Sequence, residues 1–346
     1  MFNQEMLEKI IKTPSPSGRE DQLIKLIVDE RKNVADDIIY DHQGSATIVY
    51  NKEVDFKVML AAHADEISLI VNGYNSNGSL TVDRNGGIKP QLYVGTKVRV
   101  ITENKVYHGV VGVNKRVVNN DKLSCEDLFI DLGFNNAEEA KKMIPLGSYI
   151  IHDTDLVELE NDLIAARAFD DRLGVFITQE AALKAKELGS KVGIYATMTT
   201  GEENTGRGAY SSSSIIKPDL SVIVDVTYAN DYIGSDIPGD IALGEGGVIC
   251  LGSIPNRKLN DLLKSCADKL NLKVQYEVWS GRTCTDGDTI LKTNQGNPVV
   301  LFSIPLRYMH SPVEVVSKKD IESMIEILAL FLVEISENYS LKPYSF

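Results

Sequence analysis

Short apolar runs that alternate with helical patterns in the second half of the chain constrain its fold more than any other feature. The runs at 192–199, 220–226 and 299–304 have the length of single buried strands, and a pattern with helical spacing follows each of them. Parallel strands need a long crossover between them, usually a helix. The alternation therefore predicts an α/β fold with a mostly parallel sheet that is flanked by helices on both faces.

The segment between residues 68 and 159 has a different texture, rich in valine, glycine and asparagine. Its alternating runs at 97–102 and 106–111, on either side of the turn Glu103-Asn104-Lys105, are typical of short antiparallel strands. We therefore predict one α/β domain formed by residues 1–67 and 160–346, and a small β-rich domain inserted into it at residues 68–159.

The charge balance excludes several classes of partner. The chain has 36 basic and 49 acidic side chains, and its net charge of −13 argues against nucleic acid or an anionic membrane as a ligand. No run approaches the roughly 18 apolar residues of a membrane helix. The first residues form an amphipathic pattern that includes Glu5 and Glu8, unlike a secretory signal. Four dispersed cysteines fit reduced thiols, so we predict a cytoplasmic protein.

Polar residues that can bind metals or transfer protons follow several of the predicted buried strands. His63 and Asp65 come at the end of one strand, Asp225 at the end of another, and His310 after the run at 299–304. Ligands of α/β sheets gather at the carboxyl ends of the strands. Asp65 can hydrogen-bond the His63 ring and fix its tautomer. Taken alone, each histidine fits a structural role equally well.

Two acidic pairs extend the same pattern. Asp170 and Asp171 open a predicted helix, where a lone aspartate is best explained as an N-cap. Glu202 and Glu203 follow the strand at 192–199, where a solvated loop is the plainer explanation. Considered together, two histidines and several carboxylates at one edge of a sheet form a donor set that suits two divalent cations, such as zinc, cobalt or manganese.

Seven motifs, ordered along the chain, carry most of these residues. They are Ser15-Pro16-Ser17-Gly18-Arg19-Glu20, His63-Ala64-Asp65-Glu66-Ile67, Ala168-Phe169-Asp170-Asp171-Arg172-Leu173-Gly174, Glu202-Glu203, Asp225-Val226-Thr227, Thr285-Asp286 and Arg307-Tyr308-Met309-His310-Ser311-Pro312. The set resembles the M42 metallo-aminopeptidases, which include glutamyl aminopeptidases and tetrahedral-shell aminopeptidases. The resemblance covers nearly the whole chain. It implies a zinc-peptidase-like catalytic domain that removes N-terminal residues from short peptides.

The resemblance also implies a role for each candidate residue. Asp170 bridges two metal ions, His63 and Asp225 complete one metal site, and Glu203 and His310 complete the other. Glu202 is the general base and Asp65 orients His63. Zinc is the expected metal, with cobalt or manganese as alternatives, and the Asp170–Asp171 peptide bond is expected to be cis. The inserted domain is expected to pair subunits, so that dimers build a homo-oligomer, a dodecamer.

Two departures from the family pattern concern the substrate pocket. The family usually has Val-Gly-Leu-Arg-Gly after Glu203, where this chain has Asn204-Thr205-Gly206-Arg207-Gly208, and it has two glycines where this chain has Thr283-Cys284. Arg282 is a candidate for binding an acidic substrate side chain, although a solvated surface arginine explains it better. A deacylase or carboxypeptidase on the same scaffold, an endoglucanase-labelled relative and a non-catalytic assembly protein are the alternative functions.

Overall fold

The computed structural model describes residues 3–120, 122–237 and 239–342. Its first elements are α1 (Gln4–Lys12), α2 (Asp21–Arg31), β1 (Asp37–Tyr40), β2 (Ala46–Tyr50) and β3 (Lys57–His63). The Asn3 side chain caps the first turn of α1 by accepting a hydrogen bond from the Met6 N–H. Apolar residues of α1 at helical spacing, from Met6 to Ile11, are buried in the main hydrophobic core, as their pattern predicts.

The middle of the chain folds into a closed β-barrel. Its elements are β4 (Ser68–Tyr74), β5 (Leu80–Asn85), β6 (Lys97–Ile101), β7 (Val106–Val111), α3 (Lys115–Val118), β8 (Phe129–Asp131), α4 (Ala137–Met143) and β9 (Tyr149–His152), with the strands paired in the order β4-β5-β8-β7-β6-β9. Alternate residues, such as Val98 and Val100, belong to an apolar core separate from that of the α/β part. The domain limits at 67/68 and 159/160 stay a prediction.

The rest of the chain completes the α/β part. Its elements are β10 (Val157–Glu158), β11 (Leu163–Ala166), α5 (Phe169–Glu187), β12 (Gly193–Thr199), α6 (Arg207–Ile216), β13 (Leu220–Tyr228), β14 (Val248–Gly252), α7 (Arg257–Leu270), β15 (Gln275–Trp279), α8 (Gly287–Ile290), β16 (Val299–Leu306), β17 (Glu314–Ser317) and α9 (Lys318–Glu334). Strands β10, β11 and β17 form a small antiparallel sheet. Among the described residues, no helix is long and apolar enough to span a membrane.

The main sheet has eight strands in the described chain, in the order β1-β2-β12-β3-β13-β16-β14-β15. Its four central strands, β12, β3, β13 and β16, run parallel, which confirms the predicted α/β class. The sheet is nevertheless mixed, because β2 and β14 join this centre antiparallel on either side. The sequence pattern misses β1 and β14, since β1 is partly exposed along its length and only the first three residues of β14 are buried.

The two faces of the main sheet are buried under different helices. In β13, Val222 and Val224 belong to the core shared with α5 and α9, whereas Ile223 belongs to the core shared with α6 and α8. Because successive side chains of a strand point to opposite faces, Asp225 lies on the side of Ile223. The same alternation in β3 places His63 on that side. Polar residues at the strand ends thus share one face.

Candidate metal centre

The central parallel strands bring the predicted site residues to one edge of the sheet. β3 ends at His63, Glu202 follows the end of β12, β13 carries Asp225 near its end, and His310 follows β16. In the parallel register His63 lies beside Thr199, the last residue of β12. The carboxyl ends of these strands therefore meet at one place, where α/β sheets commonly bind ligands.

Asp170 lies between the two histidines. Its Oδ1 is 3.1 Å from His63 Nε2, and its Oδ2 is 3.1 Å from His310 Nε2. Asp170 is 6% exposed and His63 is 2% exposed, so the contact between them is shielded from solvent. The peptide bond between Asp170 and Asp171 is cis, as the family resemblance implies. A carboxylate that faces one imidazole with each oxygen is suited to bridge two metal ions.

Asp225 and Glu202 lie beside His63. Asp225 Oδ1 and Glu202 Oε2 are each 4.0 Å from His63 Nε2. Possible ligand atoms of His63, Asp171 and Asp225 lie within 4.8 Å of one another. The Asp171 carboxylate also accepts a hydrogen bond of 3.2 Å from the backbone N–H of His63. This geometry is compatible with the predicted pairing of His63 and Asp225 at one metal.

Glu203 and the barrel approach the other histidine. Glu203 Oε1 is 3.3 Å from His310 Nε2, and possible ligand atoms of His63, Asp170 and Glu203 lie within 4.8 Å of one another. The other ring nitrogen of His310, Nδ1, lies 3.2 Å from the backbone carbonyl of Gly87, in the barrel segment between β5 and β6. A metal-binding histidine commonly donates its second N–H to such a carbonyl, which fixes the ring. The inserted region therefore contacts a predicted ligand.

Asp65 holds the Glu202–Glu203 turn as well as His63. Its Oδ1 is 3.5 Å from His63 Nδ1, but that nitrogen lies closer, at 3.0 Å, to the Asp65 backbone carbonyl. The Asp65 carboxylate accepts hydrogen bonds from the backbone N–H groups of Glu202, at 3.0 Å, and of Glu203, at 3.3 Å. Asp65 thus contacts the His63 ring and also connects the end of β3 to the turn that follows β12.

Sequence reasoning misses Glu314, the first residue of β17. Its buried carboxylate accepts the backbone N–H of Asp170 at 3.2 Å and that of His310 at 2.9 Å, so it positions two predicted ligands. An available signal was an acidic residue at the head of the apolar run Val315-Val316, where a buried carboxylate is costly unless it is paired.

Burial and crowding shift the acidic groups of the site from their ordinary pKa values. Burial, together with neighbouring carboxylates, raises the pKa of Glu202 to about 10 and raises the pKa of Asp225 well above its usual value. Burial also raises the pKa of Asp170, but hydrogen bonds from His310 and His63 outweigh it and hold that pKa below the ordinary value. Carboxylates that oppose each other's ionisation need positive charge among them.

The donor set fits divalent metal ions. Imidazole and carboxylate groups suit zinc, cobalt and manganese. Glu203 Oε1 is buried, and among the described residues it accepts no hydrogen bond, with His310 Nε2 at 3.3 Å. Because an unpartnered buried carboxylate oxygen is costly, a cation facing it would stabilise the site.

Both departures from the family pattern line the same cavity of ≈ 470 Å³ as the predicted ligands. Asn204 donates hydrogen bonds to Ser17 Oγ at 2.8 Å and to Asn85 Oδ1 at 3.1 Å, so the first departure joins the cavity wall to the barrel. Cys284, in the second departure, has an exposed side chain and a positive φ of 55°. The residues that replace the family pattern therefore shape the cavity that contains the predicted ligands.

The family is identified by comparison with known proteins. The family model described as M42 glutamyl aminopeptidase matches residues 44–327, a range that contains the barrel and the five predicted metal ligands. The chain belongs to the M42 peptidase family. As a member of that family, it is an aminopeptidase, an enzyme that hydrolyses peptide bonds. The predicted family, fold class and reaction are thus confirmed.

Several aminopeptidases match nearly the whole chain, and one of them forms large assemblies. The lysyl aminopeptidase of Pyrococcus furiosus is 33% identical in an alignment of 358 positions that covers 100% of this chain and 99% of that protein. An aminopeptidase of Desulfurococcus kamchatkensis has a TM-score of 0.89 and 33% identity over 96% of this chain and 94% of its own. The TET1 peptidase of Pyrococcus horikoshii has a TM-score of 0.86 and 27% identity over 96% of this chain and 99% of its own, and it can assemble into a tetrahedron or a large octahedral shell.

Proposed function

We propose that this M42 aminopeptidase uses two divalent metal ions, most suitably zinc, to remove N-terminal residues from short peptides in the cytoplasm. The observation that carries the proposal is the contact of both oxygens of Asp170 with an imidazole, one from His63 and one from His310. Asp225 would complete the site of His63, and Glu203 that of His310. When bound, such ions supply Lewis acidity that polarises a carbonyl and lowers the pKa of water.

Glu202 is the proposed general base, in its ionised form once bound cations offset the crowding of carboxylates that raises its pKa. It takes a proton from the attacking water and delivers it to the leaving amine, which a single carboxylate can do in sequence. Its backbone is held by Asp65, and its carboxylate lines the cavity 4.0 Å from His63 Nε2, where the proposed ligands converge. The free amine of the substrate would be held by an acidic group or a metal ion in this cavity, which would make the enzyme an exopeptidase.

The barrel is proposed to mediate assembly into a dodecamer built from dimers. It exposes Val110, Val113 and Val118, which are between 46% and 64% exposed, on β7 and around α3. Neighbouring apolar side chains at the surface of a folded domain commonly mark a contact with another protein. The assemblies described for the Pyrococcus horikoshii relative support a second copy of this chain as that partner.

The alternatives predict different substrates. A deacylase would act on an N-acyl amino acid, and a carboxypeptidase would require a free carboxylate. A retaining or inverting glycosidase uses two carboxyl groups on opposite sides of the scissile bond. Here Asp170, Glu203 and Asp225 crowd around imidazoles, which favours metal binding over glycoside hydrolysis.

Hydrolysis of aminoacyl-nitroanilides by zinc-, cobalt- and manganese-loaded protein, before and after treatment with a chelator, tests the proposal. We expect activity that the chelator abolishes and added metal restores. The same amino acids with an acetylated amine, tested side by side, should not be hydrolysed. Turnover that survives complete metal removal, or faster turnover of the acetylated substrates, would contradict a metal-dependent aminopeptidase.

A further inference from the structure

An acidic side chain outside the set of proposed metal ligands lies in the wall of the active-site cavity. Glu277, on the edge strand β15, lines the same cavity as His63 and Asp225. Hydroxyl groups hold both of its oxygens: Thr227 Oγ1 donates to Oε2 at 2.6 Å, and Ser303 Oγ donates to Oε1 at 3.1 Å. These neutral donors fix the carboxylate in place without neutralising its charge.

Glu277 is held close to the metal centre. Thr227 lies two residues beyond Asp225 on β13, so it shares the same face of the sheet about 7 Å further along the strand. Ser303 lies directly beside Asp225 in the parallel pairing of β13 and β16. The two residues that bind Glu277 thus flank a proposed ligand, which places its carboxylate within reach of a substrate side chain.

No lysine or arginine of the described cavity wall forms an ion pair with Glu277. Apart from the proposed ligands His63 and His310, Arg282 is the one basic residue among the described residues that line the cavity, and its Nε lies 3.2 Å from Asp288 Oδ2 with the side chain 81% exposed. In the described part of the chain, Glu277 has hydroxyl partners and no ion pair. Because a carboxylate has about four acceptor positions, Glu277 can still accept hydrogen bonds from a positively charged group.

Trp279 adds an apolar surface beside this charge. It lies two residues beyond Glu277 on β15, so both side chains share one face of the strand, and both line the cavity. A lysine or arginine side chain has an apolar stem and a charged head. The stem can pack against the indole while the head reaches the carboxylate, and either cation is attracted to an aromatic face.

We infer that Glu277 is a specificity-determining residue, which selects substrates whose N-terminal residue is lysine or arginine. The inference rests on the proposed metal-dependent aminopeptidase function, because it assigns the substrate side chain to the cavity that contains the metal centre. The alternative of an acidic substrate side chain at Arg282 is less well supported, because that guanidinium is exposed and paired with Asp288.

Lysyl-, norleucyl- and glutamyl-nitroanilides tested on the metal-loaded enzyme would measure this selection. Norleucine is nearly isosteric with lysine and lacks the ammonium group, so the ratio of kcat/KM for the two substrates isolates the charge. A hydrogen bond to a charged group corresponds to a ratio of about 10 to 100 in favour of lysine. Glu277→Gln should bring this ratio close to one, and Glu277→Arg should favour the glutamyl substrate. Glu245→Gln is the matched control, because Glu245 lies on the surface, paired with Lys273.

The outcomes separate this inference from the proposed function. Wild-type enzyme that hydrolyses norleucyl and lysyl substrates equally, or a ratio that is unchanged in Glu277→Gln, overturns the role of Glu277 and leaves the aminopeptidase mechanism intact. Metal-loaded wild-type enzyme that hydrolyses none of the substrates would count against the metal-dependent mechanism itself. If Glu277→Gln is inactive, Glu277→Asp decides: it keeps the charge on a shorter side chain, so a ratio between those of wild type and one supports the inference, and an unchanged ratio contradicts it.

Discussion

The main sheet and the barrel differ in the polar groups that they bury. At the carboxyl ends of β3 and β13, the chain buries His63, Asp170 and Asp225 against one another. The barrel interior is filled by aliphatic side chains, and its buried His152 stacks on the ring of Tyr93 with 3.9 Å between ring centroids. The main sheet thus brings together charged groups that a bound cation can balance. The barrel contributes to the shape and surface of the site and supplies the backbone carbonyl of Gly87.

A buried ion cluster lies where the two regions meet. Glu66, just before the first barrel strand, contacts the guanidinium of Arg167, and Arg172 Nη1 lies 3.5 Å from its other oxygen. All three side chains are almost fully buried. In this cluster opposite charges meet within the protein, whereas the crowded carboxylates of the proposed metal centre would be balanced by a bound cation.

The largest effect is expected from Glu202→Gln, which tests whether the chemistry resides in the sheet region. The amide is nearly isosteric but cannot take the proton, so kcat should fall by about 10²–10⁴-fold. Metal content and fold should be retained. Glu322→Gln, on the exposed side of α9, is the control. A variant at position 202 that binds two metals and turns over at near wild-type rate would rule out this residue as the base.

Glu66→Ala should destabilise the junction between the regions. It leaves two buried guanidinium groups without their carboxylate, a change that typically costs about 3–5 kcal/mol. Glu245→Ala removes an exposed ion pair with Lys273 and should change the free energy of unfolding by less than about 1 kcal/mol. Urea unfolding of the two variants measures both values. Equal shifts in the unfolding midpoint would mean that burial of the Glu66 cluster does not matter.

Metal content sharpens the assignment of ligands within the sheet region. Asp170 contacts both histidines, so Asp170→Ala should weaken both sites, whereas His310→Ala should leave about one metal per chain. Elemental analysis after exhaustive dialysis gives the stoichiometry. The same metal content in both variants would argue against a bridging role for Asp170.

Lysine substitutions in the barrel test whether its surface serves assembly. Val113→Lys combined with Val118→Lys should reduce a mass near twelve times 38.1 kDa without unfolding the chain, because the charges cannot be buried at an interface. Leu188→Lys, 56% exposed in the α/β part, is the matched control. Light scattering after size-exclusion chromatography measures both. A wild-type protein that is monomeric at micromolar concentration would contradict the proposed role of the barrel in assembly.

The smallest effect is expected for the change in stability at low pH that depends on His152 in the barrel. Burial lowers the pKa of His152 to about 4, and the positive charge of Arg167 adds to this. Because the unfolded state binds the proton more readily, His152 contributes stability that is complete above about pH 6.5 and is lost as the pH falls towards 4, at about 1.4 kcal/mol per unit of pKa difference. His152→Gln should flatten the loss of thermal stability between pH 7 and pH 5.

His108 provides the control for that measurement. It lies on β7 of the same barrel and is 72% exposed, so His108→Gln makes the same substitution at a surface position. A His152→Gln variant with the same slope as wild type would show that acid acts elsewhere in the molecule.

The elements that the sequence predicts best are those whose burial is uniform or strictly periodic. β13 is buried over all but its last residue, and α1 shows a clear helical face, so both are visible in the printed sequence. The strands β1 and β14 lie towards the sides of the sheet, where partial exposure weakens the pattern. Glu277 lies on the partly exposed edge strand β15, where nothing in the local pattern indicates the cavity that it lines.

Local sequence by itself determined the α/β class, the interruption by a β-rich segment and the set of residues able to bind metals, because these depend on short-range periodicity and on side-chain chemistry. Tertiary structure alone decided which partners those residues meet. The carbonyl of Gly87 reaches His310 across 223 positions of sequence, and Glu314 binds the backbone of Asp170 across 144. Such contacts arise when the folded strands and the barrel close together, and no local spacing encodes them.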